Sequence, residues 1–281
     1  MKPDLLPKLN WDIRLEPVIV NRSLTGKRAI IRDDNQKLLG IVGKHYEPVS
    51  NSKFMQLIQV LTKSGEFELK GYDELKGGKI ILAFLKNTNP YLKINGCQNE
   101  ENMFVANSFD CSKRLYIGTS SKLIRCANQF YSTLKVFSKK HISNIEINDS
   151  LAQEIIRNYK NKKSILYESF DGMDSVRVDE SVITRFIKEV HLMLTKDSKS
   201  IDKKDWETSP SMLKLRKSIE REMKDLGNNA FALFNGVTWY TTHELRSPNT
   251  LNSQINGTAN LINQKAFRFC INLKRNYKLL N

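Results

Sequence analysis

Two triplets, Glu68-Leu69-Lys70 and Glu74-Leu75-Lys76, each set a carboxylate two residues before a lysine, and on a β-strand that spacing puts both groups on one face. A carboxylate and a lysine so placed can hold a divalent metal and steady the charge of a phosphodiester under attack. Asn235, Trp239 and His243 offer a different chemistry. They recur every four residues, so on a helix they share one face with Thr242 alongside. Such a row can touch a ligand or a base, or form a buried network in which His243 meets helix C-terminal carbonyls. Other enzyme signatures are missing. Gly26-Lys27 is followed by Arg28, and Asn21 stands where a GxxxxGK(S/T) phosphate loop needs its first glycine; HExxH, GxSxG and GxGxxG do not occur. His45, His141, His191 and His243 are widely scattered. Cys97, Cys111, Cys126 and Cys270 make no CxxC pair and read as reduced thiols. No cofactor is implied.

Charge carries the strongest signal. The chain has 281 residues and a net charge of +15, and two segments hold nearly all of it. Between Cys111 and Ser143 stand seven cations, Lys113, Arg114, Lys122, Arg125, Lys135, Lys139 and Lys140, with no Asp or Glu; Leu245 to Asn281 adds six, Lys265, Arg268 and Arg275 among them, again with no acid. Segregated positive charge raises the local potential and attracts polyanions, of which phosphate backbones are the usual intracellular example.

The elements that must position these groups can be read from periodicity. After Arg125, the residues Ala127, Phe130, Tyr131, Leu134 and Phe137 fall at helical spacing, with Asn128, Ser132, Lys135 and Lys139 on another side; the pattern predicts a helix that is packed on one face and basic on the other. Tyr116 or Tyr131 would then be available to stack on bases. Near the C-terminus, Ile255, Ala259, Ile262, Ala266, Phe269, Leu273 and Tyr277 form a stripe on one predicted helix, opposite Lys265, Arg268, Asn272, Arg275 and Lys278. That stripe is either core or a coiled-coil-like contact in a homo-oligomer.

Upstream, RAIIRDDNQKLLGIVG predicts a hairpin turning at Asp33-Asp34-Asn35-Gln36. Asn51 or Ser52 can cap a helix bearing Phe54, Leu57, Ile58 and Leu61, and strands follow near 66–72, 79–86, 102–108 and 113–119, punctuated by Gly77-Gly78 and Asn95-Gly96. The second half turns helical. Val182, Ile183, Phe186, Ile187, Val190 and Leu194 line one face behind Asp179, and a helix from Ser209-Pro210 runs through Met212, Leu215, Ile219 and Met223 to Gly227. The polar stretch Thr195 to Asp205 reads as a linker. Strands followed by helices predict an α+β fold with an antiparallel β-rich first half: 1–143 as a β-rich domain, and 144–281 as a helical region packed on it or forming a second lobe. No stretch is apolar enough to span a bilayer and the start lacks a signal-peptide core, so a cytoplasmic protein without a membrane partner is expected.

Three ordered segments resemble the phage- and plasmid-associated proteins grouped as domain of unknown function 932. LLGIVGKHYEPVSN carries Gly40, Gly43, Tyr46, Pro48, Val49 and Asn51 of its first pattern. The central turn and Arg-x-Cys-x-Asn run fall on Asn107, Ser108, Phe109, Asp110, Cys111, Arg125, Cys126 and Asn128. The last pattern falls on Asn235, Gly236, Val237, Thr238, Tyr240 and His243. Phe109 stands where the family usually has His and Cys111 where it has Gly, departures that argue against the turn as a metal or catalytic site. The resemblance implies a setting in mobile genetic elements, where some proteins with β-rich first halves and basic helices anneal single strands; that last link is analogy at the level of fold. Charge and resemblance together predict a nucleic-acid-binding protein, with single-stranded DNA favoured. A metal-dependent nuclease and a structural or host-interaction protein are the alternatives.

Overall fold

The computed structural model describes residues 9–124, 128–141, 145–195 and 206–280. The fold is α+β, with the sheets in the N-terminal half and most helices in the C-terminal half. A three-stranded antiparallel sheet comes first, in the order β1 (Ile13–Val20), β2 (Ser23–Arg32), β3 (Leu38–Gly43). Asn21 and Arg22 join β1 to β2 with φ of 49° and 65°, the double positive φ that matches a two-residue turn to the right-handed twist of its strands. Pro17 has no N–H to give, and it sits on an edge strand beside a register shift. The hairpin predicted over Arg28 to Gly43 is present as β2–β3, with Ile30 opposite Gly40.

Helix α1 (Asn51–Lys63) buries Phe54, Leu57, Ile58 and Leu61, as their spacing predicts. Its cap is Ser50, whose Oγ accepts from the Lys53 N–H at 3.2 Å. The sequence offered Asn51 or Ser52; Asn51 instead donates its side-chain amide to the Trp11 carbonyl at 2.8 Å.

A five-stranded sheet follows in sequence order: β4 (Phe67–Leu75), β5 (Ile80–Ile94), β6 (Cys97–Ser108), β7 (Leu115–Leu123) and β8 (Gln129–Lys139). Gly77, Gly78, Asn95 and Gly96 all take positive φ in its turns. Strand β8 corrects the helix expected after Arg125. Phe130, Tyr131, Thr133, Val136 and Phe137 favour a pleated surface. The Leu123 N–H donates to the Asn128 carbonyl at 3.0 Å, so the chain folds back and β8 pairs with β7 instead of coiling on itself.

The helices are α2 (Asp149–Phe170), α3 (Glu180–Thr195), α4 (Pro210–Leu226), α5 (Ala230–Trp239), α6 (Thr250–Asn256) and α7 (Thr258–Leu280), with a π-turn, Tyr240–Glu244, extending α5. Asp179 Oδ1 accepts from the Val182 N–H at 3.0 Å, and Pro210 and Gly227 bound α4 as expected. The single C-terminal helix is corrected to two, because Gly257 adopts extended backbone (φ −113°, ψ −151°) between α6 and α7. Beyond Thr195 the expected linker lies outside the described residues.

The chain forms two compact units, each gathered from three stretches. The first comprises Met1–Pro90, Glu101–Ser120 and Thr133–Lys163; the second comprises Tyr91–Glu100, Ser121–Ser132 and Ser164–Asn281. In the first unit Trp11, Ile30, Leu39, Phe54, Leu57 and Phe109 are among the buried side chains of one continuous apolar core. The second is built around Phe130, Phe170, Phe231, Phe234 and Phe267, with ring centroids 5.0 to 6.4 Å apart, each such pair adding about 0.5–1.5 kcal/mol beyond its buried area. Among the described residues no helix is long and apolar enough to cross a membrane.

Candidate nucleic-acid interface

In the first unit the turn Asn107-Ser108-Phe109-Asp110-Cys111 is a scaffold. Asn107 donates its amide to the Val49 carbonyl at 2.8 Å, and Tyr46 Oη donates to the Ser108 carbonyl at 3.0 Å. Ser108 Oγ bridges the turn, donating to the Lys113 carbonyl at 2.9 Å and accepting from the Lys113 N–H at 3.0 Å. Asp110 Oδ1 accepts from the Ser112 N–H at 3.0 Å. Gly40 lies so close that a Cβ there would stand 2.5 Å from the Phe109 carbonyl oxygen. The turn delivers Lys113 and Arg114, both exposed, to the start of β7.

Since β8 returns along β7, its end reaches the same place. The backbone at Lys113 flanks the imidazole of His141, two residues past β8, and Tyr46 stacks on that ring at 5.0 Å. Lys113 and Arg114 thereby lie at the same end of the β7–β8 pair as Lys139 and Lys140, a basic corner, and Lys135 is exposed on the same strand. Lys135 and Lys139 share a face even though the helix is absent, because a spacing of four returns to the same side in a strand as well. Lys135 and Lys140 are exposed and Lys139 is half-buried. Exposed Lys44 and His45 adjoin Tyr46, and charge counting missed them because they stand alone between apolar segments. Among the described residues none of Lys113, Arg114, Lys135, Lys139 or Lys140 forms an ion pair. Burial of His141 pushes its imidazole below the usual range, and burial raises the Tyr46 phenol.

In the second unit Asn128 is 3 % exposed, so it is corrected from a surface contact to a buried joint. Its amide donates to the Asn235 carbonyl at 3.1 Å, Asn235 donates to the Phe231 carbonyl at 2.8 Å, and Thr238 Oγ1 donates back to Asn235 O at 2.9 Å. A Cβ on Gly236 would stand 2.4 Å from Ile219 Cα, so this glycine sets how closely α5 packs on α4. The row Asn235, Trp239, His243 therefore divides. Asn235 belongs to the buried network, whereas half-buried Trp239 lies 4.1 Å from the exposed His243 ring and takes the guanidinium of Arg221 at 3.6 Å. Arg221 was not legible as a partner, because it comes from a different helix.

Other expected contacts fare differently. Tyr131 is buried, with its carbonyl accepting from Gln264 Nε2 at 2.9 Å, and so offers no stacking surface. Tyr116 packs on Phe104 at 5.6 Å, and burial pushes its phenol up to about 12. Lys122 is half-buried on β7. Lys265 is held by Glu189 at 2.7 Å, while Arg268 and Arg275 are exposed on α7. Ala259, Ile262 and Ala266 from the apolar stripe are buried, and Phe269 packs on Phe186 at 5.1 Å. Arg125, Cys126 and Ala127 lie outside the described residues, as do the side chains of Ser132, Leu134 and Lys278.

Of the carboxylate–lysine triplets, Glu74 accepts from Trp11 Nε1 and from Arg32 Nη1, both at 2.7 Å, and Arg32 lies 3.9 Å over the Trp11 ring. Lys76 falls in the following turn with φ of 53°. Glu68 and Lys70 are both exposed on β4. Among the described residues no group of three or more His, Cys, Asp or Glu is arranged to hold a metal ion.

The family model described as Domain of unknown function (DUF932) matches residues 38–266, a span that takes in the scaffold turn, the basic corner and the Asn128–Asn235 joint. Neither a curated protein nor a solved structure matches the chain.

Proposed function

We propose that this chain, which belongs to the DUF932 family, binds nucleic acid through the basic corner of its first unit, with single-stranded DNA preferred, in the replication or recombination of a phage or plasmid. The observation that carries the reading is the gathering of Lys113, Arg114, Lys139 and Lys140 without a carboxylate partner. A cation already paired within the protein has little left to give a phosphate, as with Lys265 beside Glu189. An unpaired one displaces condensed counterions from the backbone, and their release drives binding. Mobile-element association comes from the sequence resemblance, and so does the preference for single strands, since some proteins of such elements with β-rich first halves and basic helices anneal single strands, an analogy at the level of fold.

The test is a filter-binding titration of single-stranded DNA, duplex DNA and RNA at several salt concentrations, with and without chelator. Affinity should fall with salt at a log–log slope of about −0.7 per neutralised phosphate on single strands. Binding that survives chelation without strand cleavage separates this reading from a metal-dependent nuclease. No binding to any polynucleotide at low salt would sink it.

A further inference from the structure

The distal half of the β1–β2 hairpin is uncovered on both faces: every residue from Ile19 to Lys27 is exposed. Three are large and apolar, with Ile19 at 59 %, Val20 at 55 % and Leu24 at 73 % exposure. Ile19 and Leu24 are directly paired across the strands, so the apolar side chains are concentrated at the tip. A two-stranded ribbon without a covered face is marginal in water, and an apolar edge invites aggregation. Local chemistry nonetheless builds this one carefully. The Asn21-Arg22 turn suits a tight hairpin, Thr25 Oγ1 donates to the Val18 carbonyl at 2.8 Å, and the register shift between Pro17 and Ile19 twists the arm where it leaves the sheet.

Charge selects the occupant. From Pro17 to Ile31 the chain carries Arg22, Lys27 and Arg28 and no acid. Arg28 is engaged by Glu47 at 3.6 Å, while Arg22 and Lys27 form no ion pair among the described residues. A second copy of a chain with net charge +15 would meet this tip with repulsion, whereas a polyanion would meet it with attraction. Apolar side chains flanked by cations are what nucleic acid accommodates, the former wedged against base faces and the latter on phosphates. We infer that the β1–β2 arm is a second nucleic-acid contact, in which Ile19 and Leu24, paired on one face of the ribbon, insert against bases, Val20 adds apolar surface on the other face, and Arg22 and Lys27 hold the backbone. The inference rests on the nucleic-acid reading and adds to it an element remote in sequence from the basic segment.

The experiment uses the full chain and an oligonucleotide carrying 2-aminopurine, whose fluorescence rises when it is unstacked, as a single strand and as a duplex. Wild-type protein should raise the fluorescence on binding. The variant Ile19→Ser, Val20→Ser, Leu24→Ser should bind more weakly, keep the salt slope of wild type and lose that rise, and Leu24→Ser alone should lose part of it; Arg22→Ala with Lys27→Ala should reduce the salt slope. These side chains are solvent-exposed, and an unchanged unfolding midpoint verifies that the fold is intact. An equal rise from wild type and triple variant overturns the arm contact and leaves the basic-corner reading standing, as does a wild type that binds without any rise. A triple variant altered only in sedimentation assigns the arm to self-association and also overturns the proposal. Absence of all binding by wild type removes both readings together.

Discussion

The side-chain amide of Asn128 donates to the main-chain carbonyl of Asn235 at 3.1 Å, across 107 positions of sequence. One residue on, the Gln129 N–H donates to Thr242 Oγ1 at 3.2 Å, so the β7–β8 turn is tied twice to the segment formed by α5 and its π-turn. Two residues from separate family patterns are thus partners in structure.

Asn128→Ala should cost about 1 kcal/mol, because Asn235 O keeps the Thr238 hydroxyl as a donor. Asn128→Asp should cost more, since it buries a carboxylate against that carbonyl. Urea denaturation measures both. The affinity of folded Asn128→Ala for nucleic acid should match wild type, as befits a residue that does not reach the surface.

Gly40 and Gly43 lie on the same strand and should respond oppositely to alanine. At Gly40 the added Cβ would meet the backbone of Phe109 and Asp110 at 2.5 and 2.9 Å, which costs about 1–3 kcal/mol. At Gly43 nothing lies within 4 Å, and the change should stay within about 0.5 kcal/mol. Thermal unfolding of the pair, with binding measured on each folded protein, checks that Gly40 acts by seating the scaffold turn.

Replacing Lys113, Arg114, Lys139 and Lys140 by Ala should flatten the salt dependence of binding, by about 0.7 in log–log slope for each cation that meets a phosphate of a single strand. Lys265→Ala should change it least, because Glu189 already holds that ammonium. Fluorescence anisotropy against salt gives the slopes. Identical slopes in wild type and the quadruple variant would place the contact elsewhere.

Burial lowers the imidazole pKa of His141 in the folded chain. The unfolded chain therefore takes up a proton that the folded chain resists, and stability rises with pH wherever the unfolded state holds more protons. The contribution is intact above the ordinary imidazole value of about 6.5, is lost as pH falls from there through the folded value, and is flat below it. Unfolding midpoints of wild type should drop over that acid window, and His141→Gln should remove this part of the slope.

Bound protein should accelerate annealing of complementary strands without nucleotide, since annealing needs two repelling backbones neutralised and bases exposed. Labelled oligonucleotides at low salt, compared with polylysine of similar charge, provide the measurement. A rate no faster than polylysine rejects the annealing role and leaves binding intact.

What the sequence determined by itself is local. Helix α4 is legible from Ser209-Pro210, its apolar spacing and Gly227, because capping and periodicity act within a few residues. The β2–β3 hairpin and the acid-free segments are legible for the same reason. Tertiary structure decided the rest. The apolar spacing of residues 127–137 fits a helix, but the backbone groups of β8 find their partners on β7, a choice that no window on β8 alone contains. Lys135 and Lys139 kept a shared face only because their spacing suits both geometries. Whether a cation is free or spent is likewise a matter of what another element brings: Glu189 on α3 takes Lys265, whereas Lys113, Arg114, Lys139 and Lys140 form no ion pair among the described residues, the nearby Glu47 being turned to Arg28. Net charge is a sum over the sequence, but the field that a phosphate meets depends on which charges folding places together.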